Sequence, residues 1–429
     1  MKTKERIKTL LLLVLLLGAG FLTYSIWFYD STGADGLFSG WISGGDYEYN
    51  NETLTELMLE ESAEEVVPFV ISYHNERGRF GAAYHAESVN RLYQKTLAIL
   101  REALSTVSGS ERVSEAAWHA ALRGDGILYD FEGSVPLAAL AMQVGAENAG
   151  RLGAAGRYLL FAGDCFYFKD PASGAILRLP HALGDTELHR VMNGMSAAQC
   201  TLALEREGRK VVAETPIFDE AISAYTVNGF NSAAFFDEAQ MSSLLKIFGM
   251  NYNTCGKYTE KDGTQVFIEE LNVLKIAPDG YVTYTSEEES GGVPIASMGD
   301  APAQDEVLSA ACGMIARLSY LAGGNGATYM QSMTAQGSTG WTLRFGWSFG
   351  GIPIDRQKTG YSAEIVVTGR NMTSIGFYMR SFENAGGVVS LVPQKLAAQA
   401  VDGTAAALGL RYTDGGGANL TPQWYVKVQ

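Results

Sequence analysis

The chain has 429 residues, 47% of them hydrophobic and 18% charged, the balance of a folded protein and not of a disordered stalk. Its formal net charge of −15 excludes the basic footprint that nucleic acid requires, and sets the chain against anionic lipid headgroups and wall polymers. A chain this long has room for two or three domains, each with its own core.

The first element in chain order predicts a membrane anchor. Thr9 to Tyr29 carries no charged side chain, and Leu10 to Leu17 is aliphatic throughout. As a helix this stretch spans about 30 Å, the thickness of a bilayer's hydrocarbon core. Lys2, Lys4, Arg6 and Lys8 precede it against the single acid Glu5. The positive-inside bias places residues 1–8 in the cytoplasm and residues 30–429 on the far side, with Tyr24, Trp27 and Tyr29 at headgroup level. A cleaved signal peptide is the weaker reading. Gly18-Ala19-Gly20 supplies small residues, but no A-x-A site follows, and the apolar run continues through Phe21 to Phe28. Ala19 and Thr23 lie four apart beside Gly18, a spacing that lets another helix approach closely in lipid. Gly18, Ala19, Thr23, Tyr24 and Trp27 are therefore the candidate partner-facing residues of the predicted span 9–29.

Residues 30–45, rich in Gly, Ser and Asp, read as a linker whose Phe38, Trp41 and Ile42 rest on the bilayer or on the next domain. Residues 46–190 form a first expected α+β lobe. Val66 to Ile71 has the β-branched density of a strand, and Ala86 to Val107 places apolar residues at helical spacing. Ser114 is positioned to cap a helix running to Leu122. Strands are expected at 126–131, 157–161 and 165–168. A second lobe, 191–295, contains a strand at 200–207 and a helix at 238–249. It ends with one strand from Gly263 to Ile276, which turns at Pro278-Asp279-Gly280 and returns through Tyr281–Tyr284. Glu287-Glu288-Glu289 and the following Ser-Gly-Gly mark a solvated break near 295.

The third lobe, 296–429, opens with a helix from Asp305 to Ala322. Its buried stripe is Val307, Leu308, Ala311, Ile315 and Leu318. Strands follow at 339–349, 363–367 and 372–382, then a helix from Gln394 to Leu408 and a final strand at 410–412, and Trp424-Tyr425-Val426 reads as a packed terminus. Strands that succeed one another without crossover helices predict antiparallel sheets and an α+β class.

Catalytic motifs are scarce. No nucleotide-binding glycine motif, nucleophile elbow or zinc-protease helix occurs. His181 and His189 bracket Asp185 and Glu187 at a spacing unsuited to metal and read as surface residues. Ser243-Leu244-Leu245-Lys246 and Lys358-Thr359-Gly360 match the outer elements of penicillin-interacting enzymes, with Ser243 as nucleophile and Lys246 as its base. The middle element is missing between them, so Leu244 and Leu245 are read as core and Ser243 and Lys246 as solvent-facing. Gly323 to Gly326 and Gly415 to Gly417 lack the strand–helix context of a phosphate site and read as loops. Cys165, Cys200, Cys255 and Cys312 form no C-x-x-C pair. Disulfides and buried thiols are both open for them. No cofactor is expected.

Four stretches together carry a family resemblance. They are the anchor ending Leu22-Thr23-Tyr24-Ser25-Ile26-Trp27, the hairpin Val273 to Gly280, Gly350-Gly351-Ile352-Pro353-Ile354, and Leu420-Thr421-Pro422-Gln423-Trp424-Tyr425. In that order they resemble the YycH (WalH) family, membrane-anchored regulators of the WalK (YycG) sensor histidine kinase of Gram-positive bacteria. The resemblance implies a single-pass protein with a multi-lobed extracytoplasmic part, its third lobe YycI-like, and no enzymatic activity. It also implies a sensor histidine kinase and a YycI-like sister protein as partners, and a role in cell-wall homeostasis. The alanine- and glycine-rich composition departs from the lysine-rich ectodomains of that family. The rivals are a wall-binding or scaffolding ectodomain and the acyl enzyme built on Ser243 and Lys246.

Overall fold

The computed structural model describes residues 66–147, 153–170, 173–208, 210–287, 291–296, 302–337, 339–401 and 406–428. The expected anchor and linker lie outside the described residues. Among the described residues no helix is long and apolar enough to cross a membrane.

The N-terminal part is an antiparallel sheet with helices against it. Strand β1 (Val70–Asn75) turns at once into β2 (Gly78–Ala83) and pairs on its other side with β3 (Gly126–Pro136). β4 (Ala155–Ala162), β5 (Cys165–Asp170) and β6 (Ala175–Pro180) extend the sheet from β3 as a meander. Helix α1 (Ala86–Ser105) buries Val89, Leu92, Tyr93, Ile99, Leu100 and Leu104, the face its apolar spacing predicts. α2 (Glu115–Arg123) is capped by the Ser114 hydroxyl, which accepts from the Ala117 N–H, and it seats Trp118 and Leu122 in a separate apolar cluster. α3 (Leu137–Gln143), absent from the sequence reading, runs directly off β3 with Pro136 as its N-cap. α4 (Asp185–Asn193) follows β6.

β7 (Ser223–Asn231) is followed by α5 (Glu238–Ile247) and then a meander. The meander comprises β8 (Gly256–Thr259), β9 (Gln265–Glu269), β10 (Asn272–Ile276) and β11 (Tyr281–Ser286). The turn at 278–280 falls where expected, with Gly280 at φ 84°. The single strand expected over Gly263–Ile276 is corrected to two. Glu269 pairs with Asn272, and the chain reverses through Glu270 at φ 53° and Leu271.

α6 (Gln304–Ala322) buries the predicted stripe. β12 (Ala327–Gln336), β13 (Gly340–Phe349), β14 (Ile352–Arg356), β15 (Ala363–Thr368) and β16 (Asn371–Tyr378) follow. β16 pairs with β11, Tyr281 opposite Tyr378, so the meander's sheet runs on through the residues after 295. β17 (Arg380–Ser390) forms a separate ribbon with β7. α7 covers Gln394–Ala400, and Ala406–Asp414 is strand β18, paired with β19 (Pro422–Val428). The helix expected to reach Leu408 is thereby corrected, because Leu408 stands opposite Val426 in a ladder. Antiparallel pairing dominates, in an α+β fold. The described residues all fall in one compact unit, Thr55–Gln429, and a parallel bridge from Ser134 to Ser332 joins β3 to β12 within it.

Candidate interaction surface

Two helix ends and two glycine turns build a cleft on this scaffold. α1 begins at Ala86, where the His85 ring accepts from the Ser88 N–H and the Ala86 N–H donates to the Gly350 carbonyl at 3.0 Å. Gly350 and Gly351, between β13 and β14, have φ of 62° and 86°. A Cβ at Gly351 would stand 2.5 Å from the Ala86 nitrogen, so only glycine lets the turn touch the helix start. Opposite, α6 ends at Gly323, φ 72°, whose N–H donates to the Ser319 and Tyr320 carbonyls. Between these ends lies a cleft of about 590 Å³ whose walls include Val67, Phe69, Asn90 and Ser319.

A second hollow of about 630 Å³ adjoins it, with Phe230, Phe235 and Phe236 in its wall. Phe235 stands on a 3-10 turn, Ser232–Phe235, that the Ser232 hydroxyl pins to α6 by donating to the Ala322 carbonyl at 2.6 Å. Tyr320 lines both hollows and forms the ridge between them. Phe235 and Tyr320 are 76% and 69% exposed, more than any other large hydrophobic side chain among the described residues. Glu87 and Glu383 are the charged residues in the two walls, and exposed Asp237 and Glu238 follow Phe236 directly. Arg317, one turn back on α6, lines neither hollow. An apolar ridge rimmed by polar and acidic groups is the composition of a contact surface.

Buried ion pairs hold the scaffold beneath. Arg157 makes two bonds to Asp130, at 2.6 and 2.8 Å, and reaches Glu132 at 3.3 Å. Arg411 of β18 donates to the other oxygen of Glu132 at 3.0 Å, tying the C-terminal strand to β3. The Glu132 side chain is 1% exposed, and its backbone sits at φ 63°. Elsewhere Arg356 and Arg380 share the carboxylate of Asp414, at 3.1 and 3.0 Å.

The sequence-predicted site residues Gly18, Ala19, Thr23, Tyr24 and Trp27 lie outside the described residues. The Ser243 hydroxyl donates to the Ala239 carbonyl at 2.9 Å from an exposed helix face. Leu244 and Leu245 are fully buried. Lys358-Thr359-Gly360 is a turn after β14, where Lys358 pairs with Asp279 at 3.3 Å. His181 is corrected from surface to interior: its ring packs edge-on against Phe161 and Phe166, and burial lowers its pKa. His189 is half-buried, 3.9 Å from Asp125, while Glu187 pairs with Arg190. Cys165, Cys200 and Cys255 are buried thiols, and burial pushes Cys200 up to about 12. Tyr320 and Phe235 were missed as surface residues. Their signal was there: Tyr320 falls off the apolar stripe of its helix, and Phe235-Phe236 immediately precedes the capping Asp237.

No family model and no curated protein matches the chain. Among solved structures, the crystal structure of YycH from Bacillus subtilis is similar, with a TM-score of 0.50 at 13% identity. The likeness covers 86% of this chain and 95% of that one. At such low identity it speaks to architecture alone, and nearly the whole of the other chain takes part. The chain has a YycH-like fold.

Proposed function

We propose that this chain is a single-pass, membrane-anchored regulator that biases a two-component sensor histidine kinase of the WalK (YycG) type, acting in cell-wall homeostasis beside a YycI-like sister protein. The YycH-like fold across 86% of the chain carries the reading. The uncharged stretch from Thr9 to Tyr29, with its basic N-terminal flank, supports the anchor and its orientation. Such a protein acts by binding the kinase's signalling states with unequal affinity. A difference of about 1–3 kcal/mol shifts the equilibrium constant between those states roughly five- to 150-fold.

The test is crosslinking in the native membrane, with a photoreactive residue placed in turn at Ala19, Leu22 and Thr23, which share one helical face, and at Phe21 on the opposite face. The expected result is capture of a histidine kinase from one helix face and not the other. Absence of kinase at every position, with the protein intact and expressed, would overturn the reading and leave the span a tether.

A further inference from the structure

We propose that the Tyr320 ridge, with the two hollows it divides and the exposed Phe235 in the wall of the second, is a docking site for a basic amphipathic segment of a partner protein. The inference does not depend on which protein the anchor meets. Exposed aromatic rings bordering concave hollows are the anchors from which protein interfaces draw most of their affinity. The surface is also formed in advance. Ser232 fixes the turn that carries Phe235, and the glycine turns at 323–326 and 350–351 are packed against Phe382 and Ala86. Little ordering cost remains for binding.

Charge selects the occupant. The walls contain Glu87 and Glu383 with no lysine, arginine or histidine; exposed Asp237 and Glu238 follow Phe236 in the chain, and Arg317 lies one turn back on α6, none of the three lining a hollow. A segment with apolar residues for the hollows and lysine or arginine at its flanks matches both features. A bilayer with anionic headgroups meets the same acids unfavourably and does not fill concave hollows. A second copy pairing symmetrically through this face would set one acidic rim against another.

The test uses the full-length protein in phosphatidylcholine nanodiscs and two fluorescent peptides. One is an amphipathic leucine–lysine helix, the other the same sequence with glutamate for each lysine; binding is read by anisotropy and corrected for empty nanodiscs. The lysine peptide is expected to bind about tenfold or more tightly than its partner, and Phe235→Ala and Tyr320→Ala each to weaken it about tenfold. Glu87→Gln with Glu383→Gln narrows the preference between peptides. Tyr258→Ala, at another exposed tyrosine that lines neither hollow, leaves binding unchanged. Circular dichroism checks that each variant is folded, and the glutamine pair reads the site without touching its apolar surface. Equal affinity for the two peptides, or loss of binding in Tyr258→Ala to the same degree, overturns the proposal. So does Phe235-dependent binding to phosphatidylglycerol vesicles, which assigns the ridge to lipid, or Phe235-dependent self-association, which assigns it to a second copy.

Discussion

At the scale of single residues, the sharpest contrast lies among the histidines. The sequence groups His181 with His189, yet one packs against Phe161 and Phe166 and the other is half-buried on α4, near Asp125. Burial disfavours the charged imidazolium, so the folded state holds His181 neutral to lower pH than the unfolded chain does. The unfolded state therefore binds the extra proton, and the stability contributed by this residue is complete above roughly pH 6.5 and lost as pH falls through its lowered folded value. Urea unfolding from neutral to mildly acidic pH is expected to show falling stability, with a shallower fall in His181→Asn than in the wild type. An identical slope in the two proteins would remove His181 from the account.

At the scale of elements, turns with glycine were legible and turns without it were not. Pro278-Asp279-Gly280 announced its reversal through residue types suited to a tight turn. The reversal at Glu270-Leu271 did not, because its left-handed residue is a glutamate inside a run that reads as strand. Ala406 to Leu408 looked helical by propensity, but their place in the β18–β19 ladder decides otherwise. The cleft was invisible for a different reason: its walls come from residues near 67, 87, 319 and 350, brought together only by the tertiary fold. Gly350-Gly351 was singled out in sequence without its role, which is to meet the first turn of α1. Gly351→Ala forces a side chain against the Ala86 backbone at φ 86°, so it is expected to cost about 1 kcal/mol or more. Denaturant midpoints check this. A neutral substitution would mean that the turn and α1 separate freely.

At the scale of the whole molecule, the halves of the described chain are joined by charge as well as by sheet. Glu132 sits on β3, near the start, and Arg411 on β18, near the end, yet they meet at 3.0 Å in a buried position. Removing Arg411 leaves the Glu132 carboxylate with Arg157 as its remaining cation, at 3.3 Å, so Arg411→Met is expected to destabilise by about 1–3 kcal/mol. Replacing Glu132 by Leu in the same chain removes the under-compensated carboxylate, while Arg157 keeps its two bonds to Asp130, and is expected to restore part of that loss. Equilibrium unfolding of the single and double variants reads both, and a simple sum of losses would show that the pair is not coupled.

The position of β1 has a mechanical meaning. Its hydrogen bonds run to β2 on one side and to β3 on the other, and just before it Val66 donates its N–H to Gln143 at 3.0 Å and accepts from the Tyr93 hydroxyl at 3.3 Å. Tension applied from the N-terminal side, along the strand axis, loads both ladders in shear. It does not peel a peripheral strand away one bond at a time. A pull from that side is carried directly into the centre of the N-terminal sheet, which yields as a block or holds.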